Sequence, residues 1–84
     1  MKFTQPCLIM SVENKNIDWA LFVSPDEEYT KEDVAAQCDK EVDTFYVYPV
    51  RAQKSVINIA EQLDDIGNTL KQHKPLDIPG MFTL

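Results

Sequence analysis

The stretch Ser55 to Gln72, SVINIAEQLDDIGNTLKQ, carries the longest unbroken period in the chain and limits the fold more than any other segment. Val56, Ile59, Ala60, Leu63, Ile66 and Leu70 recur at steps of three and four, so they share one face of a helix. Asn58, Glu61, Gln62, Asp65, Asn68 and Gln72 fall on the polar side. An apolar stripe of this kind has to be buried, and the rest of the 84 residues must supply the surface that buries it. A chain of this length reads as one small domain spanning 1–84.

The partner surface reads as strands. Cys7 to Val12 and Ile17 to Val23 are apolar runs separated by Glu13-Asn14-Lys15-Asn16, which predicts a hairpin. Asparagine tolerates the left-handed backbone that a tight turn demands. Alternation on the second run places Trp19, Leu21 and Val23 toward the core and Asp18, Ala20, Phe22 and Ser24 on the opposite face. Thr44 to Arg51, TFYVYPVR, predicts a third strand, with Phe45 and Val47 on one side and Tyr46 and Tyr48 on the other. Pro49 has no N–H for a ladder, so this strand lies at an edge or stops pairing there.

Between the second and third strands, Thr30 is placed to cap a helix. Asp33 stands at the capping-box position, and Tyr29 is spaced to pack on Val34. The helix is expected to run to Lys40 or Val42 and to bury a narrow stripe of Val34, Cys38 and Val42. After the long helix, Pro75 ends the pattern, and Leu76 to Leu84 is either a final short strand or an apolar arm. The order strand, strand, helix, strand, helix, tail predicts an α+β two-layer domain. Its sheet is three-stranded and mainly antiparallel, the third strand lies beside the first, and both helices pack on one face. Gly67, beside the apolar stripe, is expected to allow a close approach of the long helix to its neighbour.

Charge is concentrated rather than spread. The chain carries −6 overall, and the segment from Asp26 to Asp43 holds all of the excess: Asp26, Glu27, Glu28, Glu32, Asp33, Asp39, Glu41 and Asp43 face only Lys31 and Lys40. That sign excludes direct binding to a phosphate backbone, which requires basic stripes. No apolar run approaches the roughly 20 residues of a membrane span. Pro6 and the polar Glu13–Asn16 stretch do not fit a secretory signal, so a soluble cytoplasmic protein is expected.

Catalytic chemistry has no assembled motif. Cys7 and Cys38 sit at apolar positions and read as reduced thiols, while His73 lies near a helix end between Lys71 and Lys74. No CxxC or HxxxH spacing is present, and with only Gly67 and Gly80 there is no glycine-rich phosphate loop. The paired carboxylates Glu27-Glu28, Glu32-Asp33 and Asp64-Asp65 are adjacent along the chain, and neighbours on a helix point in different directions. No catalytic residue, metal site or cofactor is therefore expected. An enzyme using Cys38, paired with His73, or the paired carboxylates stands as the alternative.

Two surfaces remain as candidates for binding. With both helices on one side of the sheet, their outer faces would merge Glu32, Asp33 and Asp39 with Glu61 and Asp65, and Asp26, Glu27, Glu28, Glu41 and Asp43 would extend the patch. Such a surface suits a basic protein, above all one that binds nucleic acid, because carboxylates can stand in for phosphates. The protein then reads as a small acidic regulator or inhibitor. The uncovered sheet face would expose Ile9, Phe22, Tyr46 and Tyr48, an aromatic patch suited to a homodimer or to a structural subunit, unless the tail from Met81 to Leu84 covers it.

Overall fold

The computed structural model describes residues 2–51 and 58–84. Strand β1 (Cys7–Glu13) turns back into β2 (Asn16–Val23), followed by helix α1 (Lys31–Gln37), strand β3 (Tyr46–Pro49), helix α2 (Ile59–Leu70), one 3₁₀ turn at Pro75–Asp77, and the short strand β4 (Phe82–Thr83). The protein is α+β. Its sheet has four strands in the order β2-β1-β3-β4, and every pairing is antiparallel. The third strand lies beside the first, as expected. The fourth strand comes from the tail: Phe82 pairs with Val47, and the Leu84 N–H donates to the Phe45 carbonyl at 2.9 Å. The expected three-stranded sheet is thus one strand short, and β3, which ends at Pro49, is an interior strand and not an edge.

The hairpin turn uses two residues, Asn14 and Lys15, both with positive φ, at 51° and 62°. That is the primed-turn geometry whose twist matches the flanking strands. A register shift between Ser11 and Val12 follows: Ser11 pairs with Trp19 and Val12 with Ile17, which leaves Asp18 as the extra residue of a β-bulge. The bulge changes the alternation. Trp19, Leu21 and Val23 keep the core face expected for them, while Ile17 swings to the opposite side with Val12.

The helices do not share a face. Cys7 and Ile9 pack in one cluster with Val34, Cys38, Phe45 and Val47, whereas Leu8 and Met10 pack in another with Ile66, Leu70, Ile78 and Met81. Adjacent strand residues point to opposite sides of a sheet, so α1 covers one face and α2 the other. The architecture has three layers, and the expected two-layer arrangement is corrected. β1 is buried on both sides, with Leu8, Ile9 and Met10 at 1% exposure or less. On the α1 side Trp19 meets Phe45 edge to face, with ring centroids 5.9 Å apart.

This arrangement also removes the open aromatic face. Tyr46 and Tyr48 are half-buried against the cluster that α2 covers, and Ile9 lies in the other cluster altogether. Phe22, on edge strand β2, is left 40% exposed without the two tyrosines as an open patch.

Helix ends follow local chemistry. At α1 the Thr30 hydroxyl accepts the Asp33 N–H at 3.1 Å, and the Asp33 carboxylate accepts the Thr30 N–H at 2.9 Å, completing the expected capping box. The helix stops at Gln37 rather than at Lys40 or Val42, because Cys38 is extended, with φ −89° and ψ 116°. Continuation would place Asp39 and Glu41 at the negative end of the helix dipole. For α2 the expected start at Ser55 and the stripe residue Val56 lie outside the described residues. The described helix begins after Asn58, whose side-chain oxygen accepts the Glu61 N–H at 3.0 Å. It ends at Leu70, so His73 and Lys74 lie beyond its last turn.

Two positions on α2 depart from expectation. Gln62 is buried and Ala60 exposed, although the pattern placed them the other way round. Gln62 lies four residues before Ile66, which lies four before Leu70, so spacing alone puts it on the buried stripe. Gly67 is half-buried but makes no close approach: an added Cβ would meet nothing within 4 Å.

Candidate functional site

The eight acids from Asp26 to Asp43 are all exposed and all belong to the layer that carries α1. The chain entering this layer is held by Phe3, whose N–H donates to the Glu27 carbonyl at 3.1 Å and whose carbonyl accepts the Asp26 N–H at 2.8 Å. Phe3 itself is buried in the α1-side cluster, which anchors the acidic loop to the core. Asp26 adopts a left-handed backbone with φ 70°, a conformation that aspartate tolerates better than most residues.

The carboxylates divide by what they do. Glu27 accepts the Ser24 N–H at 3.0 Å, and Asp33 caps α1, so both help to hold the backbone. The hydrogen bonds from the Thr30 backbone and hydroxyl hold the Asp33 carboxyl below the usual aspartate range. Asp26, Glu28, Glu32, Asp39, Glu41 and Asp43 complete the exposed set. The two lysines of the segment are already engaged. Lys31 donates to the Asp43 carbonyl at 2.8 Å, and Lys40 donates to both carboxylate oxygens of Asp18 at 2.9 Å. Asp18 pushes the Lys40 ammonium pKa above its ordinary value through that hydrogen bond and its charge.

Glu61 and Asp65 do not join this surface. They are exposed on α2, which lies on the other face of the sheet, so the merged patch expected from a one-sided arrangement is not formed. The structure instead brings Glu13 and Asp18 of the hairpin next to the end of the acidic segment. Ser11, Glu13, Asp18, Lys40, Glu41, Asp43 and Thr44 line a cleft of 340 Å³ between the open end of the sheet and the loop that follows α1. Glu13 and Asp18 were not singled out by sequence, since they are distant from the acidic run. Asp18 is the extra residue of the β2 bulge, and Glu13 is the last residue of β1.

Among the described residues the thiol and imidazole of the enzyme alternative are not brought together. Cys38 is buried on the α1 side, while His73 lines a groove with Leu70, a member of the α2-side cluster, so the alternative Cys38–His73 pair is divided by the sheet. Cys7 is free and buried beside a Gln5 carbonyl 3.4 Å away, and burial pushes its thiol pKa up, away from the reactive thiolate. Among the described residues no three His, Cys, Asp or Glu side chains are placed to hold a metal ion. Among the same residues no helix is long and apolar enough to cross a membrane. Compared with protein-family models, curated proteins and solved structures, the chain has no significant match.

Proposed function

We propose that this protein is a small protein-binding regulator that docks the carboxylate-rich surface of its α1 layer on a basic partner, in particular a protein whose groove otherwise holds nucleic acid. One observation carries the reading. All eight acids between Asp26 and Asp43 are exposed, and the only two lysines of that segment are tied down by Asp43 and Asp18. A surface of fixed negative charge with its own cations already engaged attracts basic proteins and speeds their encounter. The patch is smaller than the sequence implied, because α2 and its acids Glu61 and Asp65 face away.

The test is competition against duplex DNA for basic nucleic-acid-binding proteins, repeated across a salt series. Binding is expected to displace DNA, to weaken steeply as salt rises, and to be lost in the triple variant Glu28→Lys, Glu32→Lys, Asp39→Lys. These positions leave untouched Glu27 and Asp33, which hold backbone groups. Binding that persists at high salt, or in the triple variant, would overturn the proposal.

A further inference from the structure

Strand β2 is an outer strand of the sheet and is eight residues long, against two for β4 at the opposite edge. An outer strand carries backbone N–H and C=O groups without a ladder partner, and folded proteins guard such edges with lysine, proline, a bulge or short length. The bulge at Asp18 guards only the start of β2. From Trp19 to Val23 the edge reads Trp-Ala-Leu-Phe-Val, with no charge and no proline.

Two further features lie on this edge, both on the α2 side. Phe22 pairs with Leu8 and Ala20 with Met10, and Leu8 and Met10 belong to the α2-side cluster, so Phe22 and Ala20 face the same way. Phe22 is 40% exposed there. Beside Ala20 a groove of 440 Å³ opens between β2 and α2, lined by Ile17, Ala20, Leu63 and Gly67 among others, with room for an aromatic ring. Glycine is the least favourable residue inside a helix after proline, yet a Cβ added at Gly67 would meet nothing of this chain within 4 Å. No contact within one copy explains that glycine.

Ring and groove become complementary across a twofold axis. If β2 pairs antiparallel with the same strand of a second copy about Ala20, Phe22 of each copy stands opposite position 18 of the other, on the α2 side and over the groove. The same register sets Trp19 against Leu21 on the α1 side, and both are half-buried in one copy alone. Charge permits the approach. The groove holds Asp18, Asp64 and Lys71, and Asp18 is bonded to Lys40, so two acids are matched by two lysines even though the chain carries −6 overall. A foreign strand could use the free backbone groups, but a second copy brings the ring at the required offset by symmetry.

We infer that β2 pairs with β2 of a second copy of this chain, antiparallel about Ala20, with each copy's Phe22 seated in the β2–α2 groove of the other. The inference is independent of the function proposed above, since it uses none of the acids between Asp26 and Asp43. One strand pair and two aromatic rings make a small interface, below the ~1,200 Å² at which tight complexes begin, so the dimer is expected to dissociate on dilution.

Sedimentation equilibrium from micromolar to near-millimolar concentration, joined to cysteine cross-linking, tests it. The full chain is expected to pass from monomer to dimer. Phe22→Ser, which removes the ring, and Gly67→Leu, which fills the groove, should each raise the dissociation constant by about tenfold or more while circular dichroism stays native. In Ala20→Cys the two Cα atoms at the axis would lie about 4.5–5.5 Å apart, within reach of a disulfide. Oxidised glutathione should therefore link Ala20→Cys into dimers much faster than Thr83→Cys on the opposite edge, and the native Cys7 and Cys38 are buried. If either groove variant unfolds, the cross-linking comparison decides. A monomer at every concentration would overturn the inference. So would a dimer that both variants leave unchanged, or equal cross-linking at positions 20 and 83.

Discussion

Gln62 of α2 clamps both backbone groups of Arg51: its Oε1 accepts the Arg51 N–H at 2.8 Å, and its Nε2 donates to the Arg51 carbonyl at 2.6 Å. The backbone pairing runs one residue past β3, where the Val50 N–H donates to the Pro6 carbonyl at 2.9 Å, and the Gln62 amide then ties α2 to the next residue.

Replacing Gln62 with leucine keeps the apolar stem but leaves two backbone groups without that partner. The expected cost is about 1–3 kcal/mol, reduced toward the lower value because Arg51 is exposed and water can reach it. Urea unfolding would measure it. A variant as stable as the parent would show that the clamp contributes nothing net.

Gly67→Ala is expected to stabilise the protein. Gly67 lies inside α2, where glycine is worse than alanine by about 0.8–1 kcal/mol, and the new methyl group meets nothing within 4 Å. For a domain of this size such a gain raises Tm by about 4–8 °C. A loss of stability on thermal unfolding would restore the close-packing role that the sequence suggested for this glycine.

The capping box makes stability depend on acid. The Asp33 carboxyl is held below its unfolded pKa by the hydrogen bonds from Thr30, so its stabilising effect is present above the unfolded value and is lost as pH falls through the folded one. Asp33→Asn retains an oxygen acceptor without the charge. The stability difference between parent and variant should therefore shrink as pH is lowered from about 6 to about 2. A gap that stays constant over that range would mean that the Asp33 charge is not coupled to folding. The Lys40–Asp18 pair has the opposite sign. The Lys40 pKa is raised, so its contribution is present below the unfolded value of 10.5 and fades as pH rises through the folded one.

The cleft explains why the functional surface was only partly legible. The acidic run from Asp26 to Asp43 is visible as composition, and its exposure follows from the cost of burying charge. Ser11 and Glu13 join it from β1 and Asp18 from β2, where it is the extra residue of a bulge whose register shift depends on pairing between the two strands. Nothing in the local sequence marks Asp18 as the extra residue.

Elements set by contacts a few residues long were determined by the sequence alone. The Asn14-Lys15 turn region, the Thr30–Asp33 capping box and the Ile66–Leu70 stripe each depend on neighbours along the chain. Which face of the sheet each helix covers was decided only by tertiary packing. Both faces of β1 are apolar, and the unbroken run Cys7-Leu8-Ile9-Met10 was the available signal of a strand covered on both sides. Once Cys7 and Ile9 are buried under α1, Leu8 and Met10 must find their own cover, and α2 with the 78–81 segment supplies it. Two-sided burial of that central strand separates the acids of α1 from those of α2, and so sets the extent of the surface left to bind a partner.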